Sequence, residues 1–280
     1  MIGVIGGSGL YQMEELEGAE WRPVETPYGE ASDALLCGRL NGVDVCFLPR
    51  HGRNHRLLPS EINYRANIVA LKKIGVRRVI SVSAVGSLKE EIVPGHMVVV
   101  SQFVDRSLSR PATFFGDGVV GHVSMADPVC PELAARLAVA ARDAGATCHE
   151  GATYLGMEGP QFSSRAESNL YRAWGMDVIG MTNATEAKLA REAGLCYATL
   201  AMSTDYDCWR EEEEGVEAAD VLATLQANVD LARKLLLALI HDGVEARPCT
   251  CGRAAETALL TPKEAIPPAR LASLAVVLEP

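Results

Sequence analysis

Leu195-Cys-Tyr-Ala-Thr-Leu-Ala-Met202 runs directly into Ser203-Thr204-Asp205-Tyr206-Asp207-Cys208-Trp209. A nearly continuous apolar stretch of strand length reads as a β-strand covered on both faces, as in a sheet flanked by helices. Two carboxylates then stand just past the strand's end, where open α/β sheets bind ligands. At i and i+2, Asp205 and Asp207 can meet a ring nitrogen and an amino group of a flat heterocycle, one of them as a protonated acid. The competing reading is a solvated loop with two surface acids. The neighbouring segments argue for the first.

Strand and helix patterns alternate outward from this stretch. The opening IGVIGGSGL is a short apolar strand entering a glycine turn. Residues 43–48, 76–88, 96–104, 152–157 and 177–181 also read as strands. Helices are expected at 60–74, with Ser60 as N-cap, Ala66, Ala70, Leu71 and Ile74 on one face, and Gly75 as stop. Others follow at 131–144, begun by Pro131 and closed by Gly145, and at 185–193, closed by Gly194. The last is expected at 220–240, capped by Asp220. The acidic run Glu211–Glu214 reads as a solvated loop or helix entrance. A composition break at 241–253 separates a single domain, 1–243, from a tail, 244–280. Such alternation predicts an α/β fold built on a helix-flanked sheet.

With 48% hydrophobic residues among 280, a large core is expected. A net charge of −10 argues against a nucleic-acid or anionic-membrane surface. No basic leader and no membrane-length apolar run is visible, so a cytoplasmic protein is expected. Eight cysteines are too sparse for a disulfide scaffold. Cys37, Cys46 and Cys196 read as small core residues. Cys249 and Cys251 form a C-x-C in a polar segment with no second cysteine pair nearby in sequence. Inert thiols, a disulfide and a metal site remain open for them.

Several further segments offer chemistry. The glycine turn Gly6-Gly7-Ser8-Gly9 presents backbone amides and a hydroxyl to an anion. Its spacing is not G-x-G-x-x-G, which disfavours a dinucleotide-dependent oxidoreductase, and no G-K-[ST] follows. Pro49-Arg50-His51-Gly52-Arg53 supplies a guanidinium and an imidazole suited to phosphate. Ser83-Ala84-Val85-Gly86-Ser87 would let an anion approach main-chain donors. In Met157-Glu158-Gly159-Pro160-Gln161-Phe162, Phe162 can stack on a base and Glu158 can accept from sugar hydroxyls. In Gly180-Met181-Thr182-Asn183, Met181 can pack under a sugar and Thr182 can donate to phosphate. Each segment alone is as readily explained by a turn or by packing.

Taken in order, IGGSGL, PRHGRNH, PSEINYRANI, SAVGSL, EGPQFSSRAES, MTNATEAKLAREAGLCYA and STDYDCW resemble the methylthioadenosine phosphorylase branch of the trimeric purine nucleoside phosphorylases. The resemblance covers residues 1–240. It implies a phosphorylase-type mixed β-sheet with distorted barrel character, flanked by helices, in a homotrimer or homohexamer. It also implies a phosphate site from Ser8, Arg50, His51, Ser83, Ala84 and Thr182. Met181 would line the ribose, while Phe162, Asp205 and Asp207 would hold the base. His122 would reach a neighbouring subunit's 5′ pocket, which the C-terminal helix and tail would help to close. The C-x-C resembles one found in thermophilic members, where it can form a disulfide. Asn183-Ala184-Thr185-Glu186 departs from the family's more familiar sequence, so a differently shaped loop is expected after Thr182.

The activity so implied is phosphorolysis of 5′-methylthioadenosine to adenine and 5-methylthioribose 1-phosphate. Inorganic phosphate is the co-substrate, and neither a metal nor another cofactor is expected. Asp205 is the expected acid at the purine N7. Two alternatives remain. A 6-oxopurine nucleoside or methylthioinosine phosphorylase shares the fold, but an ionised carboxylate suits a 6-amino donor and repels a 6-oxo acceptor. A non-catalytic nucleoside-binding module would release no purine when given phosphate.

Overall fold

Ten residues from Cys196 to Asp205 form the strand expected from the opening stretch, and its first eight are buried. A computed structural model describes residues 1–7, 9–210, 218–241 and 249–279. Nine strands occur there: β1 (Ile2–Gly6), β2 (Glu17–Arg22), β3 (Leu35–Leu40), β4 (Val43–Pro49), β5 (Arg78–Ser87), β6 (Met97–Asp105), β7 (Cys148–Gly156), β8 (Val178–Gly180) and β9 (Cys196–Asp205). Six α-helices accompany them: α1 (Tyr64–Lys73), α2 (Pro131–Asp143), α3 (Arg165–Ala173), α4 (Asn183–Glu192), α5 (Ala218–His241) and α6 (Pro268–Leu278).

The sheet runs in the order β2-β3-β4-β1-β5-β8-β7-β6-β9, and β9 also pairs with β5. That second pairing closes β5, β8, β7, β6 and β9 into a five-stranded barrel, with β1 to β4 extending from β5. This is the distorted-barrel α/β architecture anticipated above. Parallel and antiparallel pairs are mixed: β9 is parallel to β5 but antiparallel to β6. One face of the sheet packs Leu137 of α2 with Leu235 and Leu236 of α5. The other packs Ile68 and Leu71 of α1, Leu189 of α4 and Leu274 of α6. Central strands are therefore covered on both faces, which explains their unbroken apolar sequences.

Local chemistry fixed the ends of the elements. α1 begins after Asn63, not Ser60, because the Asn63 side chain accepts from Ala66 N at 3.1 Å. α3 was not anticipated, although Ser164 and Glu167 form a reciprocal capping box. α4 starts at Asn183, so the differing 183–186 segment is its first turn, not a loop. α5 starts before Asp220, which lies inside the helix and is not its cap. The run Glu211–Glu214 lies outside the described residues. α6, within the expected tail, is bound at its end by buried Lys72, whose Nζ donates to Ala193 O at 2.7 Å and Val277 O at 2.9 Å.

β2 and β3 were also unforeseen, and with them a disulfide. Antiparallel β3 and β4 set Cys37 directly opposite Cys46, and the two are bonded. Both are buried core residues, as expected, and the disulfide between them was not anticipated. Among the described residues, no helix is long and apolar enough to cross a membrane.

Candidate active site

A cavity of about 630 Å³ opens at the C-terminal ends of β1, β4, β5, β8 and β9. Convergence of strand ends explains why segments distant in sequence share it. Arg50, His51, Ser83, Ala84, Phe162, Met181, Thr182, Asp205 and Asp207 all line it, as do Gly7 and Gly9. Ser8 lies outside the described residues.

One wall is suited to an anion. Thr182 is the N-cap of α4, with no side-chain capping bond and a buried position. The first amides of α4 have no acceptor within the helix, and the helix dipole adds partial positive charge there. Below them, buried Arg50 donates from Nε to Glu186 Oε1 at 2.5 Å and from Nη2 to Ser81 Oγ at 2.6 Å. Its Nη1 donates to Val82 O at 2.9 Å, leaving a second N–H on that nitrogen among the described bonds. Burial alone would lower the Arg50 pKa, but the Glu186 carboxylate raises it above the ordinary guanidinium value. Ser81 and Tyr197 also donate to Glu186 Oε2, at 2.6 and 3.0 Å. Asn183 Nδ2 ties in Ser81 Oγ at 2.6 Å. This buried network was invisible in the sequence, because its members come from four separate elements.

His51 faces the same wall. Its Nδ1 is 2.8 Å from Leu57 O, a carbonyl that can only accept, so Nδ1 carries the proton. Burial lowers its pKa to about 4, the nearby Arg50 charge adding to the effect against the Leu57 bond. The neutral ring therefore has an accepting Nε2 at neutral pH.

The carboxylate pair is held from several sides. Asp205 accepts from Thr204 Oγ1 at 2.7 Å and from Asp207 N at 2.8 Å. Burial raises the Asp207 pKa and the Asp205 charge adds to it, against hydrogen bonds from Ser168, Cys208 N and Ser163. β5 and β9 end together, and Gly86 lies beside the pair. A Cβ on Gly86 would come within 3.0 Å of Asp205 Oδ1 and 3.3 Å of Asp207 Cβ, so a side chain there would crowd both acids. Trp209 Nε1 donates to Ser87 O at 2.8 Å, and the Arg172 guanidinium lies 3.6 Å from the Trp209 ring centroid. Asn228 of α5 donates to Ser203 O at 2.9 Å. The acidic segment is thus anchored at both ends, unlike a free surface loop.

The chain as a whole matches known proteins. The phosphorylase superfamily profile covers residues 1–241. The chain belongs to the phosphorylase superfamily. Its relatives include S-methyl-5′-thioadenosine phosphorylase of Geobacter sulfurreducens, 56% identical over 268 residues, covering 95% of this chain and 94% of that one. The Cereibacter sphaeroides protein of the same name is 54% identical over 280 residues, covering 99% and 97%. A methylthioadenosine phosphorylase from an antarctic soil metagenomic library has a crystal structure that matches with TM-score 0.95 and 50% identity, covering 99% and 98%. The Schistosoma mansoni methylthioadenosine phosphorylase in complex with adenine matches with TM-score 0.85 and 35% identity, covering 93% and 99%.

Within this phosphorylase-superfamily chain, two suggested residues lie elsewhere. Glu158 turns away from the cavity and accepts from Ser109 N at 3.1 Å. Its pKa is lowered: burial would raise it, but the Leu108 and Ser109 amides and Arg110 outweigh that. His122 is exposed and does not line the cavity, and its backbone N–H donates to Ala258 O at 2.8 Å. Unanticipated residues also contribute. Arg110, buried, donates to the carbonyls of Met181 and Glu158, fixing the segments that carry Met181 and Phe162. Leu225 and Val229 of α5 supply apolar wall. The helical spacing of those two was legible, but the direction they face was not.

Proposed function

We propose that this chain cleaves 5′-methylthioadenosine with inorganic phosphate, yielding adenine and 5-methylthioribose 1-phosphate. The observation that carries this reading is one cavity holding both an anion wall and a carboxylate pair, in a chain whose named relatives are S-methyl-5′-thioadenosine phosphorylases. Phosphate is assigned to the α4 N-terminus, with Thr182, Ser83, Ala84, Arg50 and the Ser8 turn around it. The neutral His51 Nε2 accepts a hydrogen bond from the P–OH of monohydrogen phosphate. Met181 lies under the ribose, and Phe162 covers the base. Leu10, Leu225 and Val229 offer apolar surface to the methylthio group.

In the reaction, the C1′–N9 bond breaks and its electron pair leaves with the purine. The anomeric carbon becomes cation-like and is stabilised by the phosphate beneath it, whose oxygen then forms the new C1′–O bond. A proton delivered at N7 neutralises the departing base. We assign that proton to Asp207, in place of Asp205, because burial and its charged neighbour favour the protonated form. Asp205, already accepting from Thr204 and the Asp207 amide, serves as acceptor for the 6-amino group. Residues 1–243 are read as the catalytic unit. The exposed position of His122 suits a residue that completes a neighbour's site, so a homotrimer, or a dimer of trimers, in the cytoplasm belongs to the same proposal.

The test is purine release from methylthioadenosine, methylthioinosine, adenosine and inosine, with and without phosphate. Phosphate-dependent adenine release, fastest from methylthioadenosine, is expected. Predominant hypoxanthine release would instead assign the chain to 6-oxopurines. Release independent of phosphate would overturn the phosphorolysis itself.

A further inference from the structure

Far from the cavity, four cysteines converge. Cys130 is the N-cap of α2, Cys196 is the first residue of β9, and Cys249 and Cys251 lie in the segment that precedes α6. Their sulfur atoms all lie within 4.8 Å of one another. Cys130, Cys196 and Cys251 are buried and Cys249 is partly buried, and all four are free thiols. The missing partners of the C-x-C are therefore present, though distant in the chain.

We propose that Cys130, Cys196, Cys249 and Cys251 form a closed tetrathiolate site for one structural zinc ion. A tetrahedral ion with Zn–S bonds of about 2.3 Å needs sulfurs roughly 3.8 Å apart, within the observed spread. Four thiolates are soft ligands, the set that selects zinc among the common divalent ions. All four positions come from the protein, so no open site remains for substrate, as in structural zinc centres. Two disulfides would consume the thiols in pairs and would not require both pairs to share a point. Cys130 also stands at the positive end of the α2 dipole, which favours a thiolate there.

The backbone is shaped for this convergence. Gly194 has φ +65°, and a Cβ there would come within 3.0 Å of Gly252 O. Glycine thus lets the tail approach two residues before Cys196 and one after Cys251. The site lies at the opposite end of β9 from Asp205, about 30 Å along a ten-residue strand. The ion would tie the tail to α2 and β9 without entering the reaction.

The test starts from the purified chain, reduced and stripped with a chelator, then titrated with Co²⁺ and separately with Zn²⁺. One equivalent of Co²⁺ should bind, giving thiolate-to-metal charge transfer and the intense d–d absorption of tetrahedral cobalt. One equivalent of Zn²⁺ should abolish both. Cys251→Ser should remove the four-sulfur spectrum, whereas Cys148→Ser, outside the cluster, should retain it. The proposal fails if reduced wild-type protein takes up neither ion. It fails equally if mass analysis finds the four cysteines as two disulfides after purification with zinc present. The wild-type titration decides even if Cys251→Ser does not fold.

Discussion

Arg50 and Glu186, separated by 136 residues, meet as a buried ion pair at 2.5 Å beneath the anion wall. The pair joins the end of β4 to the first turn of α4 and orients the guanidinium that we assign to phosphate. A buried charge without its partner is costly, so the two are expected to stand or fall together.

Glu186→Ala should lower stability by roughly 3–5 kcal/mol, the usual cost of stranding one member of a buried pair. Urea denaturation of the variant measures this. A loss comparable to that of an exposed ion pair would mean that Arg50 finds another partner.

Thr182→Val keeps the shape of the side chain but removes the hydroxyl at the α4 N-cap. Losing a hydrogen bond to a charged group costs about 1.5–3 kcal/mol, which corresponds to phosphate binding roughly 10- to 150-fold weaker. The phosphate KM should rise while the nucleoside KM changes little. An unchanged phosphate KM would remove Thr182 from the site.

Asp207→Asn should lower kcat on methylthioadenosine by about 10²–10⁴-fold, as expected for loss of a general acid. Asp205→Asn replaces an acceptor with a side chain that can donate, so the rate ratio should move toward methylthioinosine. If the two variants exchange these phenotypes, Asp205 carries the proton instead.

His51 predicts a stability profile in acid. Its pKa is about 4 in the fold, against 6.5 for the free side chain. Between those values the unfolded chain binds a proton that the folded chain refuses, so stability falls as pH drops from 6.5 toward 4. Above 6.5 the group is neutral in both states and contributes no slope. Denaturation midpoints of wild type and His51→Gln across this range should converge as the pH falls toward 4. A parallel pair of curves would show that the ring titrates normally.

Much of the scaffold was legible because burial on both faces leaves a direct imprint. β5, β6 and β9 are apolar runs, and Pro131, Gly145 and Gly194 punctuate helices by fixed backbone chemistry. β2 escaped because it is mostly exposed and carries Glu17, Glu20 and Arg22. α3 escaped despite its Ser164–Glu167 signature, which lies in a stretch read for ligand contacts.

By itself the sequence determined that strands alternate with helices, that glycine-rich, basic and acidic segments follow strand ends, and which family the chain resembles. These properties are local, set by periodicity, turn chemistry and residue type over a few positions. Only the folded chain determined that Glu186 holds Arg50 and that burial favours the protonated form of Asp207. Only the fold also brought Cys130 and Cys196 to the C-x-C, with Cys249 Sγ 3.2 Å from Cys196 Sγ across 53 residues. Charge pairing, desolvation and ligand convergence depend on distances through space, and barrel closure through β5 and β9 sets those distances.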